Sequence, residues 1–166
     1  ESLYNNVSGI KQIMQFSASD RIASLVTLDQ AFAMISDMWS AFIVGCSVVP
    51  IDSTKTIEEN IQIIYKQKAN FLIVEKEFVN YCLENIPVNL LGYTKLIVCI
   101  DEVSDEVVES FYDKFGLRIL LGFGLSELGP VVSLNTPNVR SKGMLQRGTK
   151  RGSLGHPLPN VALRIV

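Results

Sequence analysis

The chain has 166 residues, of which 48% are hydrophobic and 19% are charged. This composition is typical of one globular domain with a buried core and excludes a disordered chain. The formal net charge is -2, and basic residues are scattered except between Arg140 and Arg151, so nothing favours nucleic acid or an anionic membrane as a partner. The longest apolar run, Ala41 to Ile51, is far shorter than the ~20 residues of a membrane-spanning helix.

Helices and strands alternate along the first three quarters of the chain. The helical spacing of apolar residues predicts helices at Ser2–Gln15, at Gln30–Val44, after a capping box of Thr56 and Glu59, at Glu77–Asn85 and between Ser104 and Gly116. Short apolar runs predict strands at Ile22–Thr27, Cys46–Ile51, Phe71–Val74, Lys95–Ile100 and Arg118–Leu121. This order predicts an α/β fold: a doubly wound, mostly parallel sheet with helices on both faces.

After Leu121 the alternating apolar segments give way to a turn-rich, more polar sequence. We therefore divide the chain into residues 1–121, an α/β subdomain, and residues 122–166, a loop and a small C-terminal β extension of the same domain. Gly122 to Pro130 is predicted to be a turn-rich loop at the carboxyl end of a strand, where ligands bind in open α/β sheets. Asn135 to Arg151 is predicted to be a mobile basic loop, able to attract a phosphate or a carrier protein, although a solvated loop is the simpler interpretation. A last strand is predicted at Val161–Val166.

Cysteine and histidine usage narrows the kinds of site that the chain can hold. Cys46, Cys82 and Cys99 are widely spaced among apolar neighbours, which predicts buried free thiols in a cytoplasmic protein. His156 is the only histidine, so a histidine-based metal site or a Ser-His-Asp triad within this chain is not expected. The chain begins with a polar segment and without Met, from which we expect no signal peptide and a piece excised from a longer protein.

The segment Gly122–Glu127 reads Gly-Phe-Gly-Leu-Ser-Glu and resembles a signature of the adenylate-forming synthetases, usually Gly-Tyr-Gly-x-Thr-Glu. Paired glycines let the backbone approach a ligand closely, and an aromatic residue between them can stack on a base. A hydroxyl beside a carboxylate suits a phosphate and its Mg²⁺, which prefers oxygen ligands.

Further resemblances to this superfamily follow in order along the chain. Arg151–Val161 is similar to its Gly-Ser-Val-Gly-x-Pro-x-Pro-Gly-Val stretch, and Pro130–Asn135 lies where acyl-activating members have a similar run. Upstream, Asp20-Arg21 and Thr27–Phe32 resemble the patterns near the acyl pocket. Lys95–Val108 corresponds to a strand, an adenine-binding turn and a helix. The resemblance, which covers nearly the whole chain, favours the acyl-CoA and acyl-carrier-protein synthetase branch.

The resemblance implies a set of site residues. Ser126 and Glu127 would be catalytic, with Ser126 meeting phosphate and Glu127 holding Mg²⁺. ATP or AMP would be bound by residues of two turns: Gly122, Phe123, Gly124 and Asp101. The acyl pocket would include three consecutive residues: Gln30, Ala31 and Phe32. Simpler interpretations exist for each group, namely a solvated carboxylate at Glu127, a core aromatic at Phe123, a helix cap at Ser126, and packing at Gln30 to Phe32.

Apart from Phe123 and Ser126, which replace the Tyr and Thr of the glycine signature, the chain departs from the superfamily pattern in three places. Gln30 replaces the His and Thr27 the Pro of the pocket motif, and Cys99-Ile100-Asp101 replaces a Gly-Gly-Ala turn at the adenine. The phosphate-binding loop would precede Glu1, and the catalytic lysine would follow Val166. We therefore expect the 166-residue piece to be inactive in isolation.

The resulting hypothesis is a fragment of an ATP-dependent acyl-activating ligase of fatty acid metabolism or a similar pathway. Such enzymes convert a carboxylate to an acyl-adenylate and then to a thioester of CoA or acyl carrier protein. Membrane association of the full-length enzyme is left open, and exposed apolar surface on the piece predicts self-association. The alternatives are a degenerate synthetase-like binding or structural module without nucleotide chemistry and, more remotely, a flavodoxin-like regulator. Trp39 and Phe42 are interpreted as core residues in preference to walls of an acyl tunnel.

Overall fold

A computed structural model describes residues 2–26, 30–125, 129–141 and 143–164. Its main feature is a seven-stranded sheet of order β2-β1-β3-β4-β5-β6-β9, accompanied by a separate β7–β8 hairpin. The strands are β1 (Arg21–Ser24), β2 (Ser47–Val49), β3 (Phe71–Val74), β4 (Leu96–Cys99), β5 (Ile119–Leu125), β6 (Gly129–Leu134), β7 (Val139–Ser141), β8 (Met144–Gln146) and β9 (His156–Pro157).

The helices fill the crossovers between the strands. They are α1 (Ser2–Met14), α2 (Ala31–Ala33), α3 (Ser40–Val44), α4 (Ile57–Lys66), α5 (Lys76–Asn85) and α6 (Asp105–Phe115). A π-helical segment, Met34–Trp39, joins α2 to α3, and we call residues 31–44 together the π-containing helix. None of the helices in the described ranges is long and apolar enough to cross a membrane.

The first five strands of the sheet are parallel, and the last two are antiparallel. Parallel pairing runs from β2 through β1, β3 and β4 to β5. β3 and β4 are buried along their whole length, because helices cover both sides of them. β5 then turns back into β6 as an antiparallel hairpin. The predicted α/β class with a mostly parallel sheet is confirmed.

Two hydrophobic cores lie on opposite faces of the sheet. One includes Val7, Ile10 and Met14 of α1 and Ala33, Ile35 and Ala41 of the π-containing helix. The other includes Ile61 and Ile64 of α4, Phe78, Val79 and Cys82 of α5, and Phe111 of α6. The doubly wound arrangement follows from this division, since successive strand residues point to alternate faces.

The amino-terminal ends of α4 and α6 differ in their capping. The Thr56 hydroxyl accepts a hydrogen bond from the Glu59 amide, and the Glu59 carboxylate accepts one from the Thr56 amide, so the capping box at α4 is confirmed. Ser104 occupies the position before α6, but its side chain makes no capping hydrogen bond.

The region after Leu121 differs from its prediction because strand pairing extends into it. β5 continues through Leu125 and β6 begins at Gly129, so the described residues of the predicted loop, 122–125 and 129–130, belong to two paired strands. The predicted basic loop contains the β7–β8 hairpin. Conversely, residues 161–164 form no strand, and residues 165–166 lie outside the described part of the chain.

The outer face of the π-containing helix is another correction. Trp39 and Phe42 are exposed, and their rings pack edge to face with centroids 6.0 Å apart. The helix places Ala33, Ile35 and Ala41 against the sheet, which turns these two aromatic residues outward. They are therefore not core residues in this chain.

Candidate functional site

The Gly-Phe-Gly sequence lies on β5 where that strand pairs with β6. Gly122 is opposite Leu134 and Phe123 is opposite Ser133, and the register shifts between Phe123 and Leu125. The irregularity is typical of a β-bulge, which bends a strand and redirects its side chains. The Phe123 ring is 39% exposed; it is therefore not a fully buried core aromatic, and much of its surface is open to a ligand.

Gly124 is required by the close approach of the two hairpin strands. A Cβ atom at this position would overlap the carbonyl oxygen of Pro130 and would lie 3.1 Å from the Cα of Val131. Real Cβ atoms do not tolerate such overlap with backbone, so only glycine fits here without moving β6.

Gly122 brings the glycine motif against the predicted acyl pocket. A Cβ atom at Gly122 would lie 3.1 Å from Cζ of Phe32 and 3.2 Å from Cδ1 of Leu134. The Phe32 ring therefore packs directly over the backbone of the motif. The glycine motif and the predicted acyl pocket, which are about ninety positions apart in the sequence, are therefore in contact. The sequence spacing alone does not predict this contact.

Two acidic residues, Glu75 and Asp101, follow the carboxyl ends of β3 and β4 beside the predicted acyl pocket. Gln30 donates a hydrogen bond from Nε2 to Oε1 of Glu75 at 2.9 Å. The amide of Lys76, at the start of α5, donates to Oδ2 of Asp101 at 2.8 Å. The Asp101 side chain thus caps a neighbouring helix, which gives it a structural role in addition to its predicted place at the adenine turn.

One of the other predicted site residues is part of a helix, and two lie outside the described residues. Ala31 begins the π-containing helix and is half-buried. Ser126 and Glu127, the predicted catalytic and magnesium-binding residues, lie outside the described residues. Within the four described ranges, no group of three or more His, Cys, Asp or Glu side chains forms a metal site.

Asp20, from the Asp-Arg motif, lies at the opposite end of the sheet, before β1. Its carboxylate accepts hydrogen bonds from Ser17, from Nδ2 of Asn70 at 2.9 Å and from Nζ of Lys95 at 3.4 Å. Burial alone raises the pKa of Asp20, but these hydrogen bonds outweigh it and hold the pKa below its usual value. Asp20 therefore links the amino ends of three strands, which is a structural role.

Sequence reasoning missed Asp37, which lies in the π segment. Its side chain is only 3% exposed, and burial raises its pKa to about 7. The available signal was a single charged residue inside the mainly apolar helical stretch from Ala31 to Val44. Asp37 lines a cleft of about 550 Å³ at the carboxyl ends of β1 and β2.

A second cleft, of about 610 Å³, lies between α6, the start of β5 and the basic segment at residues 147–156. Glu109 of α6 accepts from Arg118 at 3.3 Å and pairs with Arg151 at 3.7 Å. The Gly152 amide donates to Asp105 at 3.3 Å. Acidic side chains of α6 therefore already neutralise part of the positive charge at this cleft.

The whole chain matches a family model. The model is that of the AMP-binding enzyme family, and the match covers residues 1–166. The chain therefore belongs to the AMP-binding enzyme family.

Solved structures share the fold of this chain. ATP-bound MatB from Rhodopseudomonas palustris superposes with a TM-score of 0.79 at 14% identity, covering 95% of this chain and 30% of that one. A benzoate CoA ligase from Burkholderia xenovorans LB400 gives 0.81 at 18% identity, covering 95% and 31%. A malonyl-CoA ligase with methylmalonyl-CoA and AMP bound gives 0.76 at 17% identity, covering 95% and 33%. The chain thus spans about a third of the length of these structures.

Proposed function

We propose that this chain is the central part of the large N-terminal domain of an ATP-dependent acyl-activating ligase. In the proposed reaction, a carboxylate oxygen attacks the α-phosphorus of ATP, and pyrophosphate leaves as the acyl-adenylate forms. A thiol then attacks the acyl carbon, forming the thioester and releasing AMP. The proposed substrate is a fatty or similar carboxylic acid, and the proposed thiol acceptor is CoA or an acyl carrier protein.

The contact between Gly122 and Phe32 is the observation that carries this proposal. It joins the glycine motif to the proposed acyl pocket of Gln30, Ala31 and Phe32, so that an acyl group and a nucleotide would be adjacent. The exposed ring of Phe123 suits stacking on a purine, and the glycines on either side let Phe32 and β6 pack closely against the backbone of the motif.

The nucleotide-binding residues in this proposal have separate tasks. Phe123 would stack on adenine, Ser126 would hydrogen-bond to phosphate, and Asp101 would flank the base with its carboxylate oriented by the Lys76 amide. Glu127 would hold Mg²⁺, which would supply charge neutralisation at the phosphates. The phosphate loop and the general-acid lysine would come from parts of the enzyme outside this chain, so the 166-residue piece alone would not turn over.

A cytoplasmic location belongs to the same proposal. Cys82 and Cys99 are buried free thiols, and burial raises their pKa values to about 12 and about 11. Such thiols are unreactive and typical of a reducing compartment.

Nucleotide binding to the full-length protein tests the proposal. We expect saturable ATP binding by calorimetry, and a loss of about tenfold or more in affinity for Phe123→Ala because one base-stacking contact is removed. Tyr4→Ala is the matched control, since Tyr4 is an exposed aromatic residue on α1 and should leave ATP binding unchanged. Exchange of pyrophosphate into ATP, measured with a series of carboxylic acids, would then identify the acyl substrate.

Two results would contradict this function. One is ATP binding by the wild type that is insensitive to Phe123→Ala, which would remove the nucleotide from the β5–β6 hairpin. The other is the absence of both ATP binding and carboxylate-dependent exchange in the full-length protein. The latter would identify a module that retains the fold without the chemistry.

A further inference from the structure

The cleft beside Asp37 is separated from the glycine motif and lies at the other end of the strand order. It opens at the carboxyl ends of β1 and β2 and has a volume of about 550 Å³. Its apolar walls include Leu25, Val48, Ile51 and Phe78. A cleft of this size accommodates a small organic molecule.

Two buried oxygen atoms in this cleft have no hydrogen-bond donor among the described residues. Asp37 is 3% exposed and Asn60 is 5% exposed. Asn60 donates from Nδ2 to the carbonyl of Asp52 at 3.0 Å, but Oδ1 of Asn60 and Oδ1 of Asp37 accept nothing. A buried acceptor without a hydrogen-bond donor destabilises the folded protein. Both residues line the same cleft, although each of the two oxygens itself exposes less than 1 Å², so a ligand that donates hydrogen bonds would pair with them once the side chains rotate toward the cleft.

The charge around the cleft selects the kind of donor. Glu75 and Glu77 also line it, and Lys55 is the one basic residue among its described lining residues. Lys55 is partly neutralised by Asp52, 4.0 Å away. With Asp37 ionised, the cleft has a negative balance and attracts a cation. Its apolar walls fit an organic cation better than a hydrated metal ion, which prefers several oxygen ligands.

We propose that this cleft binds the protonated amino group of a small organic molecule, with ammonium N–H groups donating to Asp37 and Asn60 while the carbon skeleton contacts the apolar walls. The site is independent of the proposed acyl-activating function. The cleft lies close to the proposed acyl pocket, since Glu75 lines it and accepts the hydrogen bond from Gln30, and Asp37 shares the π-containing helix with Phe32.

Binding should strengthen as pH rises. Burial raises the pKa of Asp37 to about 7, so the carboxylate that pairs with the ammonium group is mostly protonated at pH 6 and mostly ionised at pH 8. The other charged or titratable groups around it are Glu75, Glu77 and Lys55 in the cleft and Cys46, whose own pKa is raised first by burial and then by Asp20 and Asp37. We expect an affinity about tenfold higher at pH 8 than at pH 6.

The test uses n-butylammonium as the probe and tetramethylammonium as its matched control, because the latter carries the same charge without N–H donors. Binding to the full-length protein is followed by calorimetry and by the carboxyl carbon chemical shift of Asp37 in labelled protein. We expect saturable n-butylammonium binding at pH 8, at least tenfold weaker binding of tetramethylammonium, and at least tenfold weaker n-butylammonium binding by Asp37→Asn. Asp113→Asn, which removes an exposed carboxylate of α6, should bind like the wild type.

The proposal is overturned if n-butylammonium fails to saturate the wild type below about 50 mM, a limit on the order of 2 kcal/mol of binding free energy. Equal binding of the two cations would also overturn it, since that result indicates only a general attraction between charges. If Asp37→Asn does not fold, the wild-type pH profile decides: affinity that does not change between pH 6 and pH 8 excludes Asp37 as the acceptor. ATP binding is measured separately, so failure here leaves the proposed function untouched.

Discussion

Gly124 shows how one missing side chain permits the β5–β6 hairpin. In Gly124→Ala, the new methyl group would overlap the Pro130 carbonyl, and β6 would have to move away from β5. We expect a loss of about 3 kcal/mol or more in the free energy of unfolding, at the upper end of overpacking effects because the obstructing atom is backbone. Urea denaturation of the wild type and of Gly124→Ala measures this loss.

Leu125→Ala is the control for that change, because Leu125 follows on the same strand with its side chain exposed. It should cost less than about 1 kcal/mol. Equal losses in the two variants would show that the close approach of the strands does not determine the cost at Gly124.

Asp37 should make the stability of the protein fall as pH rises. Its pKa is raised to about 7 in the folded state by burial, whereas an unfolded Asp titrates near 3.9. Between these values the folded state holds a proton that the unfolded state has lost, so stability declines with increasing pH and levels off above the folded pKa. From pH 5 to pH 8 we expect this group to remove about 3 kcal/mol.

Urea unfolding of wild type and Asp37→Asn at both pH values checks this expectation. The variant should lack the decline and should be the more stable protein at pH 8, because Asn cannot ionise. The exposed-carboxylate variant Asp113→Asn should decline as the wild type does. A decline of equal size in Asp37→Asn would assign the effect to other groups.

Residue chemistry was predictable where a short motif specifies it and unpredictable where distant parts of the chain meet. Gly122, Phe123 and Gly124 were recognisable from the motif, but the Phe32 ring over Gly122 depends on the crossing of the π-containing helix and β5. The raised pKa of Asp37 depends on burial, which a lone Asp in an apolar helix does not determine. The roles of Ser126 and Glu127 stay predictions.

At the scale of elements, α4 depends on its capping box. Thr56→Ala removes the acceptor for the Glu59 amide and the hydroxyl that donates to the Glu59 carboxylate. We expect a loss of about 1 kcal/mol in the free energy of unfolding. Ser104→Ala is the matched control, because Ser104 precedes α6 without a capping hydrogen bond, and its cost should stay below about 0.5 kcal/mol. A cost at Ser104 as large as that at Thr56 would contradict this assignment.

The π segment in the helix at residues 31–44 was not predictable from periodicity alone. Ser40 donates from Oγ to the carbonyl of Ile35, five residues earlier, at 2.8 Å, and Ser36 donates to the carbonyl of Phe32 at 2.6 Å. Such side-chain bonds to the preceding turn loosen the regular helical pattern, and π segments are frequent at functional sites. The helix itself, its end at Gly45 and the α5 and α6 segments followed the predicted pattern within one or two residues.

At the scale of the whole molecule, the exposed apolar residues of the π-containing helix and of the edge strand β2, here called the apolar patch, lead us to expect self-association. Trp39, Phe42, Ile43 and Val48 are all exposed, Phe42 to 66%. Monomeric proteins rarely expose large contiguous apolar patches. We expect the 166-residue chain to self-associate and Phe42→Glu to shift it toward the monomer, as measured by light scattering after size-exclusion chromatography.

Tyr4→Glu is the control for self-association, since Tyr4 is equally exposed but lies on α1. It should leave the oligomer unchanged. A chain that is monomeric at high concentration before any substitution would show that the patch does not drive association.

The fold class followed from the sequence because alternating periods and continuous apolar strands leave few arrangements open. Parallel strands buried on both sides need helices on both faces, and these were visible as segments with one apolar side. The β5–β6 hairpin was less visible, since its residues read as turn formers and the pairing with β6 decides their conformation. The division at residue 121 stays a prediction, and β5 in fact runs across it.

The strand order also bears on how the protein is made. After β3, each new strand pairs with its immediate predecessor: β4 with β3, β5 with β4, and β6 with β5. A chain synthesised from its amino terminus can therefore extend the sheet one strand at a time along a single growing edge. That edge is a hazard for aggregation while it is open; β6 extends it through the β5–β6 hairpin, and β9 then pairs with β6. The glycine motif on β5 is thus synthesised only after the strands that support it, β3 and β4, have emerged from the ribosome.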